Sequence, residues 1–253
     1  MRYLTFRSML AFIVALVLVL VLQPKFIGWF KMKKLGQPIR DDGPESHLAK
    51  EGTPTMGGLV VVAAVVLSTF FFADLFNIYV WTMLGIMVLY GALGFIDDFK
   101  KVSVKNSVGV RAKTKLLWQF TIAISLLLLI IQSEPGFSTS VGVPFFKNVS
   151  FELGWWFLPF GALVIVGCSN AVNLTDGLDG LVIGPVMTVA FAYGVFAYAG
   201  GNVRIAEYLQ IPYIAGCGDL AIFAAALVAG GLGFLWFNSF PAQVFMGDVG
   251  SLS

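Results

Sequence analysis

Two adjacent aspartates, Asp97 and Asp98, stand in the segment Gly94-Phe-Ile-Asp-Asp-Phe-Lys-Lys101. Three more, Asp176, Asp179 and Asp248, stand in glycine-rich polar segments further on. Mg2+ is commonly held by one or two carboxylates, with phosphate oxygens and water completing its shell. Phosphoryl transfer asks little more of a protein than positioning and charge neutralisation by a metal and Lys or Arg. Five carboxylates beside basic residues therefore suit transfer from a diphosphate donor, provided the fold gathers them. The sequence carries no P-loop, no serine triad and no metalloprotease helix.

Each segment also has a plainer reading. Asp97 and Asp98 fall where an apolar run ends, at the expected C-terminus of a helix. There the macrodipole disfavours negative charge by a few tenths to about 1 kcal/mol. Either Lys100 and Lys101 neutralise the pair, or a metal or phosphate role does. In Asn170-Ala-Val-Asn-Leu-Thr-Asp-Gly-Leu-Asp-Gly180, a turn with Asp176 or Asp179 capping the next helix explains one aspartate. It leaves Asn170, Asn173, Thr175 and the other aspartate, a set suited to a nucleoside or a cation. In residues 238–251, glycines flank Asp248 and let backbone approach a ligand. Phe245 there either stacks on a base or anchors at the membrane interface. Residues 44–58 read as a turn-rich solvated loop. Lys50 within them suits a phosphate but lacks P-loop spacing, and His47 is the one histidine of the chain.

The elements that must bring these segments together are membrane spans. Apolar residues make up 58% of the chain and charged residues 12%, half of the about 25% usual in soluble domains. A spanning helix needs roughly 20 mostly apolar residues. Seven runs qualify, at about residues 6–22, 56–73, 80–96, 114–131, 155–172, 181–199 and 220–237. The expected fold is an all-α polytopic transmembrane bundle forming one domain. The first run follows Arg2 and Arg7 as a signal peptide would. It leads into Gln23-Pro24-Lys25 rather than a small-residue cleavage site, and so reads as a retained span.

Alternating the loops puts twelve of the sixteen Lys and Arg on one side. Basic loops stay cytoplasmic, so the N-terminus is expected outside and all four polar segments at the cytoplasmic face. Cys168 and Cys217 then lie at opposite faces, too far apart for a disulfide. Glycines in the third and seventh runs read as close helix packing. A small hairpin is expected in the external loop 133–154, where residues 140–146 alternate loosely.

Together, residues 44–58, Asp97-Asp98, residues 170–180 and residues 241–251 closely resemble the phospho-N-acetylmuramoyl-pentapeptide transferases of bacterial cell-wall synthesis. These belong to the polyprenyl-phosphate N-acetylhexosamine-1-phosphate transferases. The likeness covers almost the whole chain in order. Thr53-Pro-Thr-Met-Gly-Gly58 and Asn173-Leu-Thr-Asp-Gly-Leu-Asp-Gly180 look specific to the muramoyl branch.

The resemblance implies transfer of phospho-N-acetylmuramoyl-pentapeptide from UDP to undecaprenyl phosphate, giving lipid I and UMP. It implies Mg2+ held by Asp248, with Asp97 as base or organiser of the lipid phosphate and Asp98 in support. It places Lys50, Lys101 and Lys105 at phosphates and Thr55 among the substrate contacts. Asn173, Asp176, Asn238 and Phe245 would line the uridine pocket, with Asp179 completing the polar site. It also implies a homodimer in the bacterial inner membrane, serving peptidoglycan synthesis, cell shape and division, with no nucleic-acid partner.

Members of the family continue past Gly-Asp-Val-Gly-Ser into further spans and a histidine-rich cytoplasmic loop. This sequence stops at Ser253, so residues 1–253 are expected to be an incomplete domain, inactive alone. Two other readings stand beside this one. A sibling transferase would use UDP-N-acetylglucosamine. A secondary transporter would account for carboxylates near the membrane, but these acids sit at one boundary and not at mid-bilayer.

Overall fold

The structure, a computed structural model, describes residues 3–33, 53–104, 109–143, 146 and 149–253. Lipid offers backbone groups no hydrogen-bond partner, so long apolar runs fold as helices that satisfy themselves. Six described helices are long and apolar enough to cross a membrane. They are α1 (Leu4–Lys33), α3 (Ile78–Val104), α4 (Ala112–Ser133), α5 (Phe157–Thr175), α6 (Ile183–Gly200) and α8 (Leu220–Asn238). Three shorter helices are α2 (Gly58–Phe72), α7 (Val203–Leu209) and α9 (Gly247–Leu252). The expected hairpin is present as β1 (Ser140–Gly142) antiparallel to β2 (Ser150–Glu152), with Val141 opposite Phe151. The chain is thus an all-α, multi-pass membrane bundle.

Several boundaries differ from expectation, each for a packing reason. Helix α1 continues through Pro24 to Lys33 because Ile27 and Phe30 resume the apolar spacing and are buried beyond the proline. Phe30 packs on Met56 and Val249. Helix α3 runs past residue 96 to Val104. Asp97 and Asp98 therefore lie inside the helix, and the dipole penalty, confined to the last turn, does not act on them. The second run is helical only from Gly58. At 15 residues it spans about 22 Å, short of the roughly 30 Å hydrocarbon core. The residues before it are not helical, with Met56 in the left-handed region at φ 63°.

Helix α8 is apolar on every side and fills the centre of the bundle against α1, α2 and α6. Its glycines make this possible. Gly230 faces Val61 and Val65 of α2, Gly231 faces Met187 of α6, and Gly233 faces Val19 of α1. A methyl at Gly231 would come within 2.6 Å of the Met187 side chain. Helices α4 and α5 form an outer pair around Ala123, Leu127, Ala162 and Val166, and α4 packs on α3. Short helix α9 wedges between α3, α2 and α5. At the far end Arg7 pairs with Asp219 at 2.9 Å and donates to the Phe72 carbonyl at 3.2 Å. Both cysteines are free.

Candidate active site

One face of α3 carries Gly94, Asp97, Asp98 and Lys101 at helical spacing, so they form a stripe two turns long. Gly94 leaves room for the backbone of α9: a Cβ there would strike the Asp248 carbonyl and lie 2.7 Å from the Val249 nitrogen. One turn on, Asp98 accepts a hydrogen bond from the Val249 N–H at 3.2 Å. This tether fixes where Asp248 points. A further turn on, the Lys101 ammonium lies 2.6 Å from Asp97 Oδ2, 3.1 Å from Asp248 Oδ2 and 3.8 Å from Asp98 Oδ1. From α4, Lys115 reaches Asp248 Oδ2 at 2.7 Å and Asp97 Oδ2 at 3.7 Å. The Val110 N–H donates to Asp97 Oδ1.

Asp97 and Asp98 are each 3% exposed, and buried charge is tolerated only when paired. The carboxyl groups of Asp97, Asp98 and Asp248 crowd around two ammonium groups. One oxygen from each of Asp97, Asp98 and Asp248 lies within 4.8 Å of the others. All three donors are hard oxygens, as Mg2+ prefers, so the set fits a divalent ion. Asp97 and Asp98 each commit one oxygen to a backbone N–H, of Val110 and Val249, and each keeps its other oxygen toward Asp248 and the lysines. Burial raises the Asp248 carboxyl, but hydrogen bonding with Asp97 and Lys115 and the charges of Lys115 and Lys101 outweigh it. The group is held well below the usual carboxylate range.

The third segment closes the other wall. Ser169 of α5 donates to the Leu252 carbonyl at 2.6 Å and Asn173 donates to Ser251 Oγ at 2.8 Å, lashing α5 to α9. Asp97, Lys101, Lys115, Asn170, Asn173 and Asp248 line a cavity of about 340 Å³. Asp176 ends α5 instead of capping α6, whose first turn has no side-chain cap. Burial, then the negative charge of Asp248, push its carboxyl up to about 7.

Asp179, Asn238, Phe245 and Thr55 belong to an adjoining layer. Asp179 accepts from the Ala242 N–H at 3.3 Å. Asn238, 3% exposed, accepts from the Gly180 N–H at 3.0 Å and donates to the Val244 carbonyl at 2.8 Å, bracketing the loop between α8 and α9. The Phe245 backbone pairs with Pro54 and Gly57, which seats the segment before α2 against the loop. Thr55 is buried, beneath Gly247. Lys50, Lys105 and His47 lie outside the described residues.

Lys115 went unrecognised as a site residue in the sequence, where it counted only as a basic loop charge. The signal was there: a lysine just inside an apolar run faces something polar more often than lipid. Asn170 belonged to a recognised segment but was not singled out, and nothing in the sequence marked Ser251.

Comparison with known proteins finds relatives over the whole chain. The model of glycosyl transferase family 4 matches residues 80–253, and signature 1 of the phospho-N-acetylmuramoyl-pentapeptide transferases matches residues 50–62. Transferases of that name from Citrifermentans bemidjiense and from Geobacter sp. strain M21 are each 53% identical over 252 residues. The alignment with each takes in all of this chain and 70% of the relative.

This chain belongs to the phospho-N-acetylmuramoyl-pentapeptide transferase family. A more distant member, from Oleidesulfovibrio alaskensis, is 46% identical over the same span. Lys50 and Thr55 fall within the family signature, and every aspartate of the site falls within the longer match.

Proposed function

We propose that this transferase passes phospho-N-acetylmuramoyl-pentapeptide from a UDP carrier to undecaprenyl phosphate at the cytoplasmic face of the bacterial inner membrane. The single observation that carries the reading is the convergence of Asp97, Asp98 and Asp248 within 4.8 Å of one another, bridged by Lys101 and Lys115. In the net reaction an oxygen of the lipid phosphate bonds to the sugar-bearing phosphorus of the donor. The bond from that phosphorus to the bridging oxygen breaks, and the oxygen leaves with UMP. Lipid I keeps both its own phosphate and the transferred one.

The residues of the chain divide this work. Lys101 and Lys115 stand where two phosphates meet and offer N–H donors to their oxygens. Asp97 accepts from Val110 and both lysines; in this role it organises the acceptor phosphate by holding those cations in register. Asp98 fixes the start of α9, and Asp248 would hold Mg2+ beside Asp97 and Asp98. Bound there, Mg2+ would neutralise charge building on the diphosphate. Asn173 and Asp176 would meet the uridine side of the donor, with Phe245, Thr55 and Asp179 near it and Asn238 keeping their loop in place. Lys50 and Lys105 remain proposed phosphate contacts. The uneven split of basic residues supports the cytoplasmic orientation.

The test is transfer of radiolabel from the UDP donor to lipid phosphate by the full-length enzyme in membranes. Transfer with release of UMP, abolished by chelator and restored by Mg2+, is the expected result. Full activity in millimolar chelator would remove the ion from the mechanism, and preference for UDP-N-acetylglucosamine would reassign the donor.

A further inference from the structure

Gln119 of α4 is fully buried, and among the described residues its Nε2 finds no hydrogen-bond partner. Buried donors are seldom left unpaired, so this one asks what its orientation secures. Val166 supplies the answer. A carbonyl only accepts, so the Asn170 atom 2.8 Å from the Val166 oxygen is Nδ2. The second hydrogen of that nitrogen points at Gln119, also 2.8 Å away, which makes the facing atom the acceptor Oε1. Reversing the Gln119 amide would set N–H against N–H. Gln119 is thus locked with its oxygen toward Asn170 and its nitrogen stranded in protein.

The lock has a backing. Tyr90 of α3, fully buried, donates its hydroxyl to the backbone carbonyl of Gln119 at 2.8 Å. Three helices are tied together at this level. Lys115, which touches Asp248, lies one turn away on the same face of α4. Asn170 itself lines the cavity beside Lys115, Asn173 and Asp248. Both of its Nδ2 hydrogens are spent inside the bundle, and what remains for a ligand is the lone pairs of Oδ1.

We infer that Gln119 is a positioning residue: it holds Asn170 so that the cavity presents a neutral oxygen acceptor to a hydroxyl or amide N–H of the nucleotide-sugar donor. The inference rests on the proposed reading of the cavity as the donor site. An apolar residue at 119 would spare the unpaired nitrogen but leave the Asn170 amide anchored by the Val166 carbonyl alone, so that Oδ1 is held less firmly toward the donor.

The test is steady-state kinetics of the full-length enzyme with each substrate varied in turn, alongside thermal unfolding. Gln119→Leu should raise the KM for the nucleotide-sugar donor about tenfold, the loss of one hydrogen bond, and leave the KM for lipid phosphate within about twofold. Its melting temperature should not fall, because the stranded donor goes with the side chain. Gln119→Met serves the same purpose if the leucine variant does not assemble. Gln119→Glu keeps an oxygen toward Asn170 and should restore the donor KM to within about threefold of wild type. A wild-type enzyme that transfers while Gln119→Leu keeps its donor KM overturns this inference alone. So does loss of stability and activity in step in all the variants. A wild type that does not transfer overturns the reading of function and this inference with it.

Discussion

Gly94 is the point at which a single methyl group should disable the enzyme without touching a catalytic atom. A Cβ there would lie 2.5 Å from the carbonyl carbon of Asp248 and 2.7 Å from the nitrogen of Val249, and would strike the Asp248 oxygen. Carbon atoms settle at about 3.5–4.0 Å, so α9 has to retreat by about 1 Å. The obstructing atoms are backbone, and no rotamer change relieves them. The retreat draws Asp248 away from Lys101 at 3.1 Å and Lys115 at 2.7 Å. Misplacement on that scale costs about 100-fold in rate, and overpacking of this kind costs about 1–3 kcal/mol in stability.

Gly91, one turn earlier on the same helix, is the control. A Cβ there meets nothing nearer than 3.6 Å, and removing a glycine from a helix interior gains about 0.5–1 kcal/mol. Label transfer and thermal unfolding of Gly94→Ala and Gly91→Ala in nanodiscs provide the comparison. The expectation is a kcat about 100-fold down for the first and near wild type for the second. Gly94→Ala with near-normal kcat, or an equal loss in Gly91→Ala, would refute the claim that close approach of α9 sets the site.

Other outcomes follow from the same geometry. The Asp176 carboxyl is lifted from 3.8 to about 7 by burial and then by the charge of Asp248. A raised carboxyl stabilises the fold when protonated, so its contribution is complete below about pH 4 and fades as pH rises through 7. Melting temperature in chelator should fall over that interval in wild type and less in Asp176→Asn. Mg2+ should shift the wild-type interval downward by neutralising Asp248. Lys115→Met removes a cation that competes for the carboxylates, so Mg2+ should raise its melting temperature more than it raises that of wild type; equal shifts would locate the ion elsewhere. At the far end, Arg7→Met breaks a partly buried pair with Asp219 and should cost about 1.5–3 kcal/mol of stability while kcat is unchanged.

The sequence was read well where long-range physics is simple. Apolar runs of spanning length became helices, and the glycines of α8 proved to be contact points with α1, α2 and α6. Of the five aspartates read as chemistry, Asp97, Asp98 and Asp248 meet in space, while Asp176 and Asp179 lie outside that cluster. What escaped notice depended on partners far away in the chain. Helix α3 extends beyond its apolar run, so the argument that Asp97 and Asp98 oppose a helix end did not apply. The plainer alternative was half right, since Lys101 does pair with them, but so does Lys115 with Asp97, from another helix. The short α2 and the non-helical segment before it depend on backbone pairing with Phe245 and Met246, which no local pattern reveals. The amide of Asn238 also braces two backbone segments, a role visible only in the fold.

The most direct measurement is electron–nuclear double resonance of Mn2+ substituted for Mg2+, recorded on the full-length enzyme with its UDP donor. If carboxylates of the site hold the ion against the diphosphate, wild type should bind one Mn2+ with a resolved 31P coupling. Asp248→Asn should lose both the bound ion and the coupling. Tight binding retained in Asp248→Asn, or a wild-type ion with no phosphorus near it, would contradict the account.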